Sequence, residues 1–152
     1  MSLRAVPLTA ANFAAYGTVL DIPETGRSAP IPVLASYRED AAATVTLMRL
    51  PQEEPRFSAM ERHPHSGQCF LNLGGGRLLV VVAPDAGGAP DLARAEAFLA
   101  GPDQGFDYDP GTWHAGVAAV DGPATVAALL CRDGGDEDVE VVPLPAPQDV
   151  AV

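Results

Sequence analysis

Glycine and proline interrupt this chain at short intervals, and their spacing constrains the fold more than any other feature. The 152 residues include 15 Gly and 15 Pro. The apolar stretches between them are mostly too short for long helices, and such punctuation is typical of β-sandwiches and β-barrels. We therefore expect an all-β protein with strands at residues 17–21, 44–50, 56–63, 68–73, 78–83, 105–108, 117–120, 125–132 and 139–143.

Two short helices are expected at the periphery of the sheets. Thr9 is a suitable N-cap for a helix over residues 10–15. Asp91 precedes residues 92–99, where apolar side chains recur at the spacing of a surface helix. Packing alone accounts for both helices. The proline-containing segment 28–40 is expected to form a loop over the mouth of a barrel.

Size and charge exclude several classes of protein. A length of 152 residues is that of one domain, so we expect residues 1–152 to fold as a single unit. The chain has 20 acidic residues against 9 Arg and no Lys, which gives a net charge of −11. This charge repels nucleic-acid phosphates and anionic lipids, so we expect neither as a partner. The acidic run at residues 133–140 is interpreted as a solvated loop.

The two cysteines and the N-terminus indicate where the protein works. Cys69 and Cys131 each lie in an apolar run, which is typical of buried, reduced thiols. The first residues lack the apolar core of a signal peptide, and no segment approaches the roughly 20 apolar residues that span a bilayer. We therefore expect a soluble, cytoplasmic protein.

All three histidines fall in two short segments, residues 61–68 and 108–114. In an extended strand alternate side chains share a face, so His63 and His65 can point together toward His114 from a later strand. Glu61 shares that face. Imidazole with a carboxylate or amide oxygen suits divalent Fe, Ni, Mn or Zn, and neutral His is also the usual general base near neutral pH. Metal chemistry and acid–base chemistry both remain open.

The order of these motifs resembles that of the cupins, small β-barrels of the jelly-roll type whose mouth holds histidines and a glutamate. Residues 63–82 resemble the first cupin motif and residues 110–114 resemble the second. Gln68 stands where cupins have a glutamate, and a neutral amide is a weaker ligand, so we expect any metal to be weakly held. The resemblance implies a divalent metal held by His63, His65, Gln68 and His114.

A narrower resemblance runs from about residue 3 to residue 145. The Glu-Arg-His-Pro, Trp-His and Arg-x-Gly-Gly motifs are its most specific parts, and together they resemble the ureidoglycolate lyase family. This family splits ureidoglycolate into glyoxylate and urea during allantoin breakdown, is commonly dimeric, and is often assigned nickel or another divalent ion. The segments that carry the resemblance are residues 13–17, 61–64, 68–70, 79–83, 90–92, 105–108, 112–114 and 132–135.

The resemblance implies roles for individual residues. Ureidoglycolate is a carbinolamide, so its cleavage needs a base, an acid and an anchor for the carboxylate. We expect His63, His114 and Glu61 to share the proton transfers. Arg132 either anchors the carboxylate or pairs with the acidic loop after it. The candidates for substrate binding are Gln68, Arg132, Trp113 and Tyr37, with Trp113 also interpreted as a wall or core residue.

Arg38 and Arg62 are further candidates, and Arg62 is expected to point away from the pocket, into a dimer interface. The resemblance as a whole implies a homodimeric ureidoglycolate lyase that acts on a small-molecule substrate. Two other functions remain open: a metal-dependent cupin dioxygenase or isomerase acting on another small acid, and a cupin that binds a small molecule without turning it over.

Overall fold

Strands make up most of the residues that the structure describes. The computed structural model describes residues 3–23, 25, 28, 30–31, 33–133, 135 and 137–152. These residues form twelve strands and one α-helix, α1 (Ala10–Phe13). The strands are β1 (Leu3–Pro7), β2 (Gly17–Asp21), β3 (Ala42–Leu50), β4 (Arg56–Arg62), β5 (Gln68–Gly75), β6 (Leu78–Ala83), β7 (Glu96–Ala100), β8 (Gln104–Tyr108), β9 (Trp113–His114), β10 (Ala118–Ala119), β11 (Ala124–Arg132) and β12 (Glu140–Ala151).

The strands form two sheets. One has five strands in the order β2-β8-β5-β11-β3, and the other has seven in the order β10-β6-β7-β1-β12-β4-β9. β9 pairs with β4 and also with β6, which closes six strands of the larger sheet into a ring. This closure places Glu61 of β4 directly opposite His114 of β9. The fold thereby joins the two histidine-containing segments.

Strand β6 shows how the apolar pattern builds the interior. All six of its residues are buried. Because side chains alternate along a strand, Val80 and its alternate neighbours pack in a first core with Phe13 and Phe106. Val81 and its alternate neighbours pack in a second core with Met60 and other side chains. A continuous apolar run is what a strand buried on both faces requires.

The expected all-β architecture is confirmed, and so is the first helix. The Thr9 side chain accepts a hydrogen bond from the Asn12 amide, and the Asn12 side chain accepts one from the Thr9 amide, which forms a capping box. The helix is shorter than expected, ending at Phe13, whose ring is fully buried in the first core. Strand β1 was not expected from the sequence.

The expected helix over residues 92–99 is wrong. Residues 92–94 form one 3-10 turn, and the chain then enters β7, which pairs with β6 and β1. Within β7, Phe98 packs in the first core while Ala97 and Leu99 pack in the second. A strand between two other strands satisfies its backbone on both sides, and this tertiary pairing outweighs the helical preference of the alanines.

Other sequence expectations concern the chain as a whole. Among the described residues, no helix is long and apolar enough to cross a membrane. Cys69 and Cys131 are buried free thiols. Gly134 of the Arg-x-Gly-Gly motif and Asp136 of the acidic run lie outside the described residues.

Candidate active site

A cavity of about 220 Å³ lies where β4 of the larger sheet faces β5 and β11 of the smaller one. The loop before β12 and the segment before β3 complete its wall. Most of the polar candidates from the sequence meet at this cavity. Its lining residues are Arg38, Glu61, His63, Gln68, Leu130, Cys131, Arg132, Gly135, Asp138 and Val139.

The two histidine motifs meet here as one cluster with a carboxylate. Glu61, His63 and His114 each offer a ligand atom within 4.8 Å of the others. The rings of His63 and His114 lie 5.7 Å apart, centroid to centroid. Both histidines are buried, and Glu61 is partly buried. The cross-strand pair Glu61 and His114 fixes one side of this cluster.

Hydrogen bonding determines which nitrogen of His63 carries the proton. Nδ1 lies 2.6 Å from the backbone carbonyl of Asp138. A carbonyl can only accept, so Nδ1 donates and the neutral ring has its lone pair on Nε2. Nε2 is buried and has no hydrogen-bond partner among the described residues. His63 therefore offers a basic nitrogen at the wall of the cavity.

His114 is held on three sides. Its Nδ1 donates to the carbonyl of Thr112 at 2.8 Å, and its ring stacks on Tyr108 with centroids 4.1 Å apart. Its Nε2 lies 2.9 Å from Oε1 of Gln68 and 3.5 Å from Oε1 of Glu61. Two acceptor oxygens around one nitrogen favour a proton or a cation at that point.

Glu61 provides the negative charge of the cluster. The hydrogen bond from His114 holds the pKa of the Glu61 carboxyl below its ordinary value, against the opposing effect of burial. The charges of His114 and His63 act in the same direction as that hydrogen bond. Glu61 is consequently ionised at neutral pH.

The donor set suits a divalent cation. Two imidazole nitrogens and a carboxylate are common ligands of first-row metals, and the amide oxygen of Gln68 lies beside them. Each histidine has its Nδ1 bound to a backbone carbonyl, an arrangement that orients metal-binding histidines in proteins. The unpartnered Nε2 of His63 is an atom that a metal would satisfy.

His65 does not join this cluster, contrary to the ligand set that the sequence predicted. Strand β4 ends at Arg62, and Pro64 and His65 form a turn. Proline cannot donate to a strand ladder, so the alternation that would have aligned His65 with His63 stops there. The His65 side chain is exposed, while its backbone amide donates to Asp138 at 2.7 Å.

The structure separates the two expected roles of Arg132. Arg132 lies two residues beyond Leu130 on the same face of β11, and both line the cavity. The acidic loop pairs instead with Arg38, whose guanidinium lies 2.6 Å from Asp133 and 2.9 Å from Asp138. Among the described residues, no carboxylate pairs with Arg132. Its guanidinium is thus available to a ligand in the cavity.

Trp113 faces away from the cavity. Strand alternation puts its side chain opposite to that of His114, in the second core, where it is 1% exposed. Its Nε1 donates to Asp85 at 2.9 Å, and Arg62 lies over its ring at 4.6 Å. The structure therefore supports the core interpretation of Trp113 and not the substrate-binding one. Arg62 also pairs with Glu140, away from the pocket, as expected.

Tyr37 is 73% exposed and does not line the cavity. Its backbone amide donates to the carbonyl of His65 at 2.7 Å, and Ser36 forms a bridge with Ser66. Residues 36 and 37 of the expected loop therefore pack beside the turn after β4. Residues 29 and 32 of that loop lie outside the described residues.

Two residues of the site were missed by the sequence analysis. Asp138 was interpreted as part of a solvated run, yet it is 8% exposed and bonds to four other residues of the site. Tyr108 was given no role, yet it stacks on His114. Burial and the negative charge of Glu61 raise the pKa of Tyr108. Asp138 carries no sequence signal that distinguishes it from an ordinary loop residue, and Tyr108 lies in a segment of the family resemblance that assigns it no role.

Asp107 neighbours Tyr108 but points to the other face of β8. Its Oδ2 accepts the backbone amide of Leu34 at 3.1 Å, and its other oxygen has no partner among the described residues. Burial raises the pKa of Asp107 to about 6, the Leu34 bond lowers it, and the charge of Asp109 raises it further. The ionised form is therefore destabilised in the folded protein.

The substitution Asp107→Asn is expected to stabilise the fold at about pH 8 by about 1–3 kcal/mol. The pKa of Asp107 is higher in the folded protein than in the unfolded chain. The stability that Asp107 contributes is therefore fully present below the unfolded pKa of about 3.8. It is lost as the pH rises through about 6, so the advantage of Asn should fade toward about pH 4. Urea unfolding of both proteins at the two pH values measures this difference.

Asp121→Asn is the matched control, because Arg77 lowers the pKa of Asp121 and the sign of its effect should be opposite. An Asp107→Asn effect that is independent of pH would contradict the assignment.

The fold and the site together define a class. A β-barrel built of two sheets with two histidines and a glutamate gathered at a cavity between them is a cupin-type barrel. The fold is similar to that of the dTDP sugar isomerase from Desulfovibrio desulfuricans G20, with a TM-score of 0.52 and 24% sequence identity. The similarity covers 86% of this chain and 84% of that one.

Within that class the chain belongs to the ureidoglycolate lyase family. The model of that family, described as ureidoglycolate lyase, matches residues 1–151. The ureidoglycolate lyase of Chelativorans sp. (strain BNC1) is 33% identical over 159 residues, covering 96% of this chain and 94% of that one. The ureidoglycolate lyase of Brucella ovis is 35% identical over 152 residues, covering 91% and 88%. The family expected from the sequence motifs, a family of enzymes, is confirmed.

Proposed function

We propose that this protein is a ureidoglycolate lyase that releases glyoxylate and urea, and that its active site is the cavity lined by Glu61 and His63, with His114 beside them. The observation that carries the proposal is the cluster itself. Two buried imidazoles and an ionised carboxylate offer nitrogen and oxygen atoms within 4.8 Å of one another, and two of these residues, Glu61 and His63, line a cavity of about 220 Å³. Family membership supplies the substrate.

The reaction is an elimination that requires two proton transfers. The hydroxyl of ureidoglycolate loses its proton, the oxygen forms the carbonyl of glyoxylate, and the carbon–nitrogen bond breaks. The nitrogen takes a proton and leaves as urea, so no water is consumed. A proton acceptor near the hydroxyl and a proton donor near the nitrogen each accelerate the collapse.

We assign one histidine to each transfer. The Nε2 lone pair of His63 has no partner among the described residues, so it can accept the hydroxyl proton. His114 has its Nε2 between the oxygens of Gln68 and Glu61, where a proton is stabilised and can pass to the leaving nitrogen. Glu61, which is ionised, stabilises the positive charge on either ring. Backbone carbonyls fix both rings, so little reorganisation is needed.

Arg132 serves as the anchor for the substrate carboxylate. Its planar guanidinium binds a carboxylate through two parallel hydrogen bonds. It lines the cavity, and its neighbour Arg38 neutralises the acidic loop in its place. With its carboxylate bound to Arg132, the substrate would point its carbinol carbon toward the histidine cluster.

Glu61, His63 and His114, with Gln68 beside them, are the residues that would hold a divalent metal such as nickel. Such an ion would act as a Lewis acid and lower the pKa of the substrate hydroxyl. The cluster contains one carboxylate, so the charge of a divalent cation is only partly neutralised. We propose that binding is weak and easily reversed.

Gln68→Glu is expected to raise the affinity for Ni²⁺ or Mn²⁺ by about tenfold or more. A second carboxylate about 4 Å from a cation contributes up to about 4 kcal/mol at an effective dielectric constant of 20, part of which its desolvation offsets. Isothermal titration calorimetry on chelator-treated protein measures the change. Equal affinities of the two proteins, or wild-type protein that retains its metal through dialysis against chelator, would contradict the weak site.

The remaining expectations belong to the same proposal. We propose a homodimer that works in the cytoplasm in allantoin degradation, with a small acid as its ligand and neither nucleic acid nor membrane as partner. Buried free thiols and a net charge of −11 support this setting.

Product analysis tests the reaction. Purified protein supplied with ureidoglycolate should release urea and glyoxylate in equal amounts without consuming oxygen. Release of ammonia in place of urea would indicate a hydrolase, and oxygen uptake would favour a dioxygenase. Binding without products would favour the non-catalytic alternative.

A further inference from the structure

Asp138 joins three segments of the site through one side chain. Its Oδ1 accepts the backbone amide of His65 at 2.7 Å, and its Oδ2 accepts the Arg38 guanidinium at 2.9 Å. The Ser66 hydroxyl also donates to Oδ2. These bonds tie the loop before β12 to the turn after β4 and to the segment before β3. A carboxylate with this many donors at 8% exposure is strongly held in one position.

The backbone of the same residue controls His63. The Asp138 carbonyl accepts from His63 Nδ1, and this bond alone places the proton on Nδ1 and the lone pair on Nε2. The Asp138 side chain holds this carbonyl in place through its bonds to His65, Ser66 and Arg38. Releasing the side chain would free the carbonyl and let the ring rotate or change tautomer.

The Asp138 network also reaches the anchor. Arg38 donates to the carbonyl of Cys131 at 2.8 Å as well as to Asp138. Cys131 directly precedes Arg132 at the end of β11. One network therefore connects the residue that binds His63 with the strand end that presents Arg132.

We propose that Asp138 is the positioning residue of the site: it fixes His63 in the Nδ1–H tautomer and sets the position of His63 relative to Arg132. The catalytic consequence rests on the proposed lyase function, while the tautomer of His63 does not. Asp138 touches the reacting groups only through His63 and Arg38. It acts by placing them.

The test reads the tautomer directly in wild-type protein and in Asp138→Asn. Asn keeps the shape of the side chain but replaces one acceptor oxygen with a donor that Arg38 and Ser66 cannot use. Nitrogen-15 NMR of metal-free protein, with the His63 signals identified by elimination through His65→Ala and His114→Ala, should show the neutral ring of wild-type His63 with its proton on Nδ1 only. Asp138→Asn should show a mixture of both tautomers. Ser66→Ala removes one donor and leaves no buried charge unpaired. It should show a smaller fraction of the second tautomer than Asp138→Asn does.

Kinetics provide the second readout. In Asp138→Asn, kcat should fall about 10-fold to 100-fold, as for other residues that orient a catalytic group. Asp121→Asn is the matched control, because Asp121 also accepts a backbone amide and a guanidinium, both from Arg77, at 2.6 Å. Its His63 signals and its kcat should equal those of the wild type.

The outcomes separate this inference from the proposed function. Wild-type His63 signals in both Asp138→Asn and Ser66→Ala would overturn the positioning role, whatever the activity. A changed tautomer in a protein that does not cleave ureidoglycolate would support the positioning role and reject the lyase. If Asp138→Asn does not fold, Ser66→Ala decides the question: a wild-type tautomer there overturns the inference, and a mixture supports it.

Discussion

His114→Ala is expected to lower kcat for ureidoglycolate cleavage by about 100-fold to 10,000-fold, the usual loss when a general acid or base is removed. The substitution removes the nitrogen that lies between Gln68 and Glu61, and it leaves the Glu61 carboxylate without its hydrogen bond. It also removes the ring that stacks on Tyr108. Steady-state kinetics, with circular dichroism to check folding, measures the loss.

His65→Ala is the matched control for His114→Ala. Both changes remove an imidazole, but the His65 ring is exposed and outside the cluster, and the backbone amide that bonds to Asp138 is retained. We expect kcat within about twofold of the wild type, as for other surface substitutions. A large loss in His65→Ala together with a small one in His114→Ala would restore the ligand set that the sequence alone predicted.

Arg132→Leu is expected to raise KM by about 10-fold to 100-fold. A hydrogen bond to a charged group contributes about 1.5–3 kcal/mol, and because Arg132 is exposed, solvent screening reduces its pair with the substrate carboxylate to about the strength of one such bond. Anchoring acts on the bound substrate and on the transition state alike, so kcat should change much less than KM. Arg132→Lys keeps the charge but loses the planar guanidinium. Its KM should lie between that of the wild type and that of Arg132→Leu.

Arg56→Leu is the control for the lost charge. Arg56 is 54% exposed and pairs with Asp149, outside the cavity lining. The KM of Arg56→Leu should equal that of the wild type. If Arg132→Leu lowers kcat with no change in KM, Arg132 is not the anchor, and Arg38 becomes the next candidate.

The sequence predicted best what depends on local pattern. Strands β2 and β6 have the expected bounds, because turn residues flank an apolar run in each. The capping box at Thr9 is equally local. The helix expected over 92–99 is wrong because β7 takes its conformation from strands β6 and β1, which lie far from it in the sequence.

The site shows the same division. The Trp-His and Glu-Arg-His-Pro motifs led to His63, His114 and Glu61, which the structure brings together. Alternation failed at His65, because Pro64 ends the strand within the motif itself. The sequence did not identify Asp138 as a site residue, because an acidic run usually faces solvent. Its partners come from two other segments of the chain, and only the folded structure brings them into contact.

The central claim is that ureidoglycolate is cleaved at the cavity lined by Glu61 and His63, with His114 beside them. The most direct test is the rate of glyoxylate formation by wild-type protein, compared with buffer alone and with the double variant His63→Ala/His114→Ala, each with and without added Ni²⁺ or Mn²⁺. We predict that the wild type far exceeds the spontaneous reaction and that the folded double variant does not exceed it. A wild-type rate equal to the spontaneous one under every condition, or a double variant as fast as the wild type, would contradict the claim.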